Sequence, residues 1–180
     1  MLEQTLVLIK PDGVQRGLTG DIIKRFEGVG LKIVAMRMVW VDKEFAREHY
    51  ADVGVRRGEK VLANLLSLIT MGPVVAMVLE GVDAVEIVRK ICGPTEPKAA
   101  QPGTIRGDYA HVSFGYSDHV NEAVRNVVHA SGTKDEAKTE VSMWFKAEDI
   151  HDYPSVHDIH ILHYRAEDIR KIKPATNDEK

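Results

Sequence analysis

The side chains best suited to chemistry in this sequence are isolated polar residues, each standing where a regular element breaks. Lys10 closes an apolar run and opens Lys10-Pro11-Asp12-Gly13. Arg106 lies in a glycine-bracketed turn, Gly103-Thr104-Ile105-Arg106-Gly107-Asp108, and Arg89 and Thr95 flank the Gly93-Pro94 corner. Arginines and a hydroxyl on glycine-rich backbone can grip phosphate oxygens by charge-assisted hydrogen bonds. Taken singly, Lys10 reads first as a solvated lysine beginning a turn and the arginines as surface ion pairs. His129 follows Val127-Val128 and precedes Ala130-Ser131-Gly132. A neutral imidazole can attack phosphorus through one nitrogen when a partner on the other fixes its tautomer. Glu140, steadied by the Ser131 hydroxyl, is placed to be that partner; the competing reading is a satisfied core histidine. The sequence has no GxxxxGK[ST] loop, dinucleotide-type GxGxxG, HExxH or CxxC, so any nucleotide is held without a Walker lysine loop.

The elements that must position these residues follow from apolar periodicity. Thr5–Ile9 is a continuous β-branched run, as in a strand buried on both faces. Lys10-Pro11-Asp12-Gly13 predicts a turn. Thr19 or Asp21 starts a helix with Ile22, Ile23 and Phe26 on one face, and Leu31–Val41 reads as a strand. Asp42 caps a helix carrying Phe45, His49 and Tyr50. A leucine-rich helix spans Glu59–Ile69, and Val74–Leu79 is a third strand. Asp83 and Glu86 have capping-box spacing, as do Thr133 and Glu136. Asp118–Val124 has a helical pattern, Asn126–His129 a short strand pattern, and the helix after Thr133 turns Ala137, Val141 and Trp144 inward. The order predicts an α+β sandwich with helices covering one sheet, with a doubly wound α/β fold as the competitor.

Composition bounds the rest. The chain has 180 residues, 24 Lys+Arg against 27 Asp+Glu and a formal charge of −3, with 44% hydrophobic residues. This is the profile of a soluble globular domain. The acidic balance and the lack of a basic stripe argue against a nucleic-acid partner. Cys92 is the single cysteine, which excludes an intrachain disulfide and suits a reducing, cytoplasmic compartment. No apolar run is long enough to span a bilayer.

Four blocks in order, KPDGVQRG from Lys10, GPVVAM from Gly72, PGTIRGD from Pro102 and NVVHAS from Asn126, resemble the nucleoside diphosphate kinase family. The resemblance implies a ferredoxin-like α/β sandwich on a four-stranded antiparallel sheet, assembled as a homo-oligomer, hexamer or tetramer. It implies a ping-pong reaction in which a nucleoside triphosphate phosphorylates His129 and the phosphohistidine then phosphorylates a nucleoside diphosphate. By the same resemblance Lys10 contacts phosphate and the ribose 3′-hydroxyl, and Asn126 contacts the ribose. Arg89, Thr95 and Arg106 bind phosphates, Tyr50 lies beside the histidine, and Glu140 and Ser131 orient it. The base lies against an apolar side chain, here Val61. Magnesium is held mainly by the nucleotide phosphates, with no metal site of the protein's own.

The resemblance also marks departures. Ala51–Lys60 is longer than the family pattern, and His111–Arg125 is an insertion bordering the site. The usual HGSD becomes His129-Ala130-Ser131-Gly132. Residues 1–150 are thus expected to form the kinase domain, with an insertion near 111–125. Residues 151–180 are expected to form an extension with disordered last residues and a short helix over Ala166–Ile172. His151, His157, His160 and His163 in that extension allow a metal site or a packed tail, with a hint of strand near Ile159–Leu162. A relative that kept the fold as a nucleotide-binding or scaffolding protein, its insertions closing the site, is the alternative to an active kinase.

Overall fold

The computed structural model describes residues 2–165 and 167. A four-stranded sheet runs in the order β2-β3-β1-β4, from β1 (Leu2–Ile9), β2 (Lys32–Val39), β3 (Val74–Val82) and β4 (Val128–Ala130). Each neighbouring pair is antiparallel, so the sandwich expectation holds and the doubly wound competitor falls. The central strands β1 and β3 are nearly continuously buried because both sheet faces are covered.

Strand alternation sorts β1 between two cores. Leu6 and Leu8 pack with α3 (Lys43–His49), α5 (Glu59–Thr70) and Trp144 of α9 (Lys134–Trp144). Val7 and Ile9 pack on the opposite face with α2 (Thr19–Glu27) and α6 (Ala84–Cys92). Leu8 is paired with His129, so the histidine shares the face of Leu6 and Leu8, and the chain carries Lys10 out beyond the end of β1.

Several local expectations need correction. Pro11 begins a short helix, α1 (Pro11–Gln15), where a turn is predicted; a proline is tolerated at the first helical position. The lengthened stretch after Tyr50 forms α4 (Ala51–Arg57). The helix expected over 118–124 lies earlier, as α8 (Phe114–Val120), after α7 (Ile105–Tyr109). The Ser113 hydroxyl caps its start by accepting from the Tyr116 N–H at 3.1 Å, and Asn121, at φ 57°, ends it. Asp83 sits at φ 52° and its side chain does not cap α6; the Glu3 carboxylate accepts from the Val85 N–H instead, at 3.2 Å. Thr133 does cap α9. Glu136 reaches past it to the Gly132 N–H, at 2.8 Å.

The strand suggested near Ile159–Leu162 is instead the helix α10 (Val156–His160), whose Ser155–Asp158 capping box sequence periodicity overlooks. The expected helix over Ala166–Ile172 and the disorder of the last residues lie outside the described residues. What precedes them runs along the open edge of β2. The His151 N–H donates to the Val34 carbonyl at 2.7 Å, and the Tyr153 hydroxyl to the Ile33 carbonyl at 2.8 Å. Asp158, 2% exposed, pairs with Lys32 at 3.2 Å. Burial raises the Asp158 pKa, but the Ser155 N–H and hydroxyl and the Lys32 ammonium outweigh it and leave the carboxyl below its ordinary value.

Because Asp158 is held ionised, its contribution is complete above the ordinary carboxylate pKa and lost as pH falls through the lowered one. Asp158→Ala leaves Lys32 with only the more distant Glu80 carboxylate, at 4.0 Å, and is expected to cost about 1–3 kcal/mol locally. Limited proteolysis between residues 151 and 165 should accelerate in this variant and, for the parent chain, in acid. A proteolysis pattern unchanged by both would show that the ion pair does not fasten the segment.

Candidate active site

A cleft of about 1220 Å³ opens beside the ends of β1 and β4. Its chemistry begins at a backbone irregularity. Val127, immediately before β4, has φ 59°, a conformation that costs a β-branched residue about 1–3 kcal/mol. Two buried hydrogen bonds hold it there. Its N–H donates to Asp12 Oδ2 at 2.9 Å, and its carbonyl accepts from the Lys10 N–H at 2.9 Å. Gly13 is obligatory beside it, since a Cβ there would stand 2.9 Å from both the Val127 carbonyl and Ile9 Cγ2.

The clamp brings residues from both ends of the chain together. Lys10, 4% exposed, donates through Nζ to Asn126 Oδ1, and Asn126 Nδ2 donates to the Thr95 carbonyl at 2.7 Å. Burial pulls the Lys10 pKa down to about 8, with Asp12 opposing and Arg106 reinforcing the shift. An ammonium so placed gains strongly from an arriving anion. Arg106 is anchored by donating to the Gly93 carbonyl at 2.6 Å and the Val128 carbonyl at 2.7 Å. Gly93 adopts φ 79° with the Thr104 hydroxyl packed where a Cβ would stand, so this corner admits no larger residue without displacement. Thr104 caps α7, and Asp108 accepts from the Gly103 N–H and from Arg25, which braces the turn that carries Arg106.

His129 presents its ring between Glu140 and the cleft. Nε2 stands 3.1 Å from both Glu140 carboxylate oxygens. Ser131, fully buried, donates its hydroxyl to Glu140 Oε2 at 2.5 Å. Burial raises the Glu140 pKa, but the bonds from His129 and Ser131 and the charge facing it bring the net value below the ordinary one. The carboxylate is ionised and spent on the imidazole. This fixes Nε2 as the protonated nitrogen and leaves Nδ1 with its lone pair.

Lys10, Tyr50, Val61, Arg89, Thr95, Arg106, Asn126, His129 and Glu140 all line the one cleft, and Ser131 backs it through Glu140. Tyr50 is 6.3 Å from the His129 ring, centroid to centroid, and burial raises its phenol pKa well above the ordinary value. Val61 is 36% exposed at the start of α5. The 111–125 segment borders the cleft as expected, contributing Phe114, Ser117, Asp118 and Glu122. Two residues escape sequence reasoning. Asp12 reads as an ordinary turn residue because its partner, Val127, is 115 positions away. His49 reads as part of a helix face, yet its ring lies 4.8 Å from that of His129.

A charged cleft built around one carboxylate-oriented histidine, on an antiparallel sandwich, defines a phosphotransferase. The family model described as "Nucleoside diphosphate kinase" matches residues 3–150. The nucleoside diphosphate kinase of Borreliella burgdorferi is 48% identical over 155 residues, covering 85% of this chain and 93% of the relative. That of Pyrococcus horikoshii is 51% identical over 156 residues, covering 87% and 93%. Among solved structures, a transition state mimic of the enzyme from Borrelia burgdorferi, with bound vanadate and ADP, superposes with a TM-score of 0.86 at 46% identity, covering 88% of this chain and 96% of that one. A halophilic enzyme from Halobacterium salinarum in complex with CDP gives 0.77 at 40%, covering 89% and 98%. The chain belongs to the nucleoside diphosphate kinase family, and its activity is that of a nucleoside-diphosphate kinase.

The clamp generates a prediction. Asp12→Ala leaves the buried Val127 N–H unpaired beside a strained φ, and should lower stability by about 1–3 kcal/mol. Turnover should fall with it, because Asn126 precedes Val127 and His129 follows two residues later. Asp12→Asn retains an acceptor and should keep most of both. Denaturation midpoints and steady-state rates of the two variants check this, and equal losses in both would refute the acceptor role.

Proposed function

We propose that His129 Nδ1 is the nucleophile of a ping-pong phosphoryl transfer between nucleoside triphosphates and diphosphates. The observation that carries this reading is the grip of Glu140 on Nε2, which leaves Nδ1 as the nitrogen with a free lone pair. In the first half-reaction a bond forms between Nδ1 and the γ-phosphorus as the bond from that phosphorus to the bridging oxygen breaks. The nucleoside diphosphate leaves with the electron pair. In the second, a terminal β-phosphate oxygen of an acceptor diphosphate attacks the phosphohistidine and the N–P bond breaks. Imidazole needs no base to attack, so the protein's work is positioning and charge stabilisation.

Lys10, Arg89, Thr95 and Arg106 bind the phosphates, Lys10 and Asn126 the ribose, and Val61 supplies an apolar surface for the base. Tyr50 stands beside the histidine, while Glu140 and Ser131 fix its ring. The ADP and vanadate held by the Borrelia burgdorferi relative support nucleotide occupancy of the same cleft. Reading sugar and phosphate while a valine faces the base suits a wide range of nucleotides.

Mg2+ fits the site as a companion of the nucleotide. Among the described residues the one His/carboxylate group with metal-ligand proximity is His49, His129 and Glu140, and its carboxylate is already committed to His129 and Ser131. The phosphates are therefore the donors that would hold the ion, next to Lys10 and Arg106. When bound, it offsets phosphate charge.

We also propose that residues 1–150 form the catalytic domain, with 111–125 as an insertion and 151–180 as an extension, in a cytoplasmic homo-oligomer. No helix among the described residues is long and apolar enough to cross a membrane. Buried, reduced Cys92 suits that compartment. The half of β2 not covered by residues 151–153 leaves Met36 and Met38 exposed, and Trp40 follows at 66% exposure. Exposed apolar groups along an open strand edge suit contact with a second copy. Light scattering should give a mass several times that of the 20.1 kDa chain, reduced by Met38→Glu; a monomer at micromolar concentration would refute this.

Incubation with γ-labelled ATP and Mg2+, without acceptor, should place an acid-labile, base-stable phosphate on the His129 peptide, discharged by GDP. His129→Ala should lose label and turnover by more than about 10³-fold while still binding nucleotide. Folded protein that binds ATP and takes no label at His129 would refute His129 as the nucleophile.

A further inference from the structure

Behind the candidate nucleophile lies a second histidine that the reaction scheme does not use. The His49 side chain is fully buried. Its Nδ1 is 3.3 Å from Trp144 Nε1. An indole N–H can only donate, so Nδ1 must accept, and the proton of this ring belongs on Nε2. Nε2 itself is buried and has no hydrogen-bond partner among the described protein groups. The ring meets those of its neighbours edge to face: His129 at 4.8 Å and 77°, Tyr50 at 4.6 Å and 63°, and Trp144 at 5.5 Å and 87°. Its Nδ1 lies 4.0 Å from Glu140 Oε1, beyond hydrogen-bond reach.

We infer that His49 is a positioning residue for the phosphoryl transfer, a neutral ring locked in the Nε2–H tautomer by Trp144 that walls the His129 imidazole and leaves the Glu140 carboxylate to His129 and Ser131. The inference rests on the reading of His129 as the nucleophile. The groups that face His49 with charge or a titratable proton are Glu140 on α9, His129 on β4 and the adjoining Tyr50. A protonated His49 would compete with His129 for Glu140 and weaken the bond that aims Nδ1 at phosphorus. The Trp144 hydrogen bond prevents this geometrically, because a second proton would have to sit on the nitrogen that already accepts one. Burial acts in the same direction: it lowers the His49 pKa to about 3, helped by His129 and opposed by Glu140. A phenylalanine would fill the space without accepting from Trp144. The histidine supplies both the wall and the acceptor.

Two measurements on the whole protein test this. Imidazole ¹⁵N NMR of the parent protein should show His49 as the Nε2–H tautomer, unchanged between about pH 5.5 and 8.5. Single-turnover phosphorylation by ATP should slow at least about tenfold in His49→Phe, with the ATP concentration dependence kept within about twofold. His49→Gln, a neutral residue that can still accept from Trp144, should recover most of the rate. A titrating or Nδ1–H imidazole at His49 overturns the proposal even if a variant fails to fold. So does a parent-like rate in His49→Phe, or equal losses in the Phe and Gln variants. These failures differ from failure of the underlying reading, in which the parent protein itself takes no phosphate on His129.

Discussion

The site depends on a single unfavourable backbone conformation, the positive φ of Val127, and on the two groups that enforce it. The Asp12 carboxylate and the Lys10 N–H seize the donor and acceptor of the same residue from the far side of the sequence. Buried amide groups tolerate few arrangements that leave them satisfied, so the clamp is discrete rather than adjustable. Its neighbours inherit that rigidity. Asn126 precedes it and meets Lys10; His129 follows two residues later and, by strand alternation, faces Glu140. A left-handed valine is thus the means by which the first turn after β1 and the strand β4 share one frame.

Charge is handled by the same economy of parts. Lys10 and Arg106 are both nearly buried, and burial lowers both pKa values. Neither is neutralised by a carboxylate at hydrogen-bond distance: Lys10 donates to an amide oxygen and Arg106 to two carbonyls. Cations held by neutral acceptors in a low-dielectric wall keep their field for a ligand. Glu140 is the opposite case, an anion fully occupied by His129 and Ser131. The site separates its charges, with the carboxylate bonded to the histidine and the cations held by neutral acceptors, and this prevents mutual quenching across the cleft.

How much of this was legible in the sequence depended on the range of each interaction. The buried runs of β1 and β3, the cap at Asp42 and the inward face of α9 are local patterns, and they read correctly. Lys10, Arg106, Asn126 and His129 are legible because three of the four short blocks carry them in order. Strand direction is not a local property, so only the antiparallel pairing separates the sandwich from the doubly wound fold. The α8 boundary was missed because Ser113 and Asn121, a cap and a left-handed stop, weigh more than the apolar spacing after Asp118. Asp12 and His49 are not legible for a different reason: each acts on a residue about a hundred positions away, and its type is ordinary in its own neighbourhood.

The same distinction separates what fixes the chemistry from what shapes access to it. The clamp, the anchored arginine and the carboxylate-bound histidine are fixed by bonds made at Val127, Val128 and His129. The 111–125 segment touches none of those bonds. It is tied to the 96–98 stretch, where the Glu96 carboxylate accepts from the Phe114 N–H at 2.8 Å and the Lys98 backbone N–H donates to the Val112 carbonyl at 3.1 Å. It nevertheless contributes side chains to the cleft wall. A wall fastened beside the corner that carries Thr95, and independent of the Val127 clamp, can change the shape of the cleft without changing the bonds that hold His129. The two functions draw on separate hydrogen bonds, so a change in one need not disturb the other.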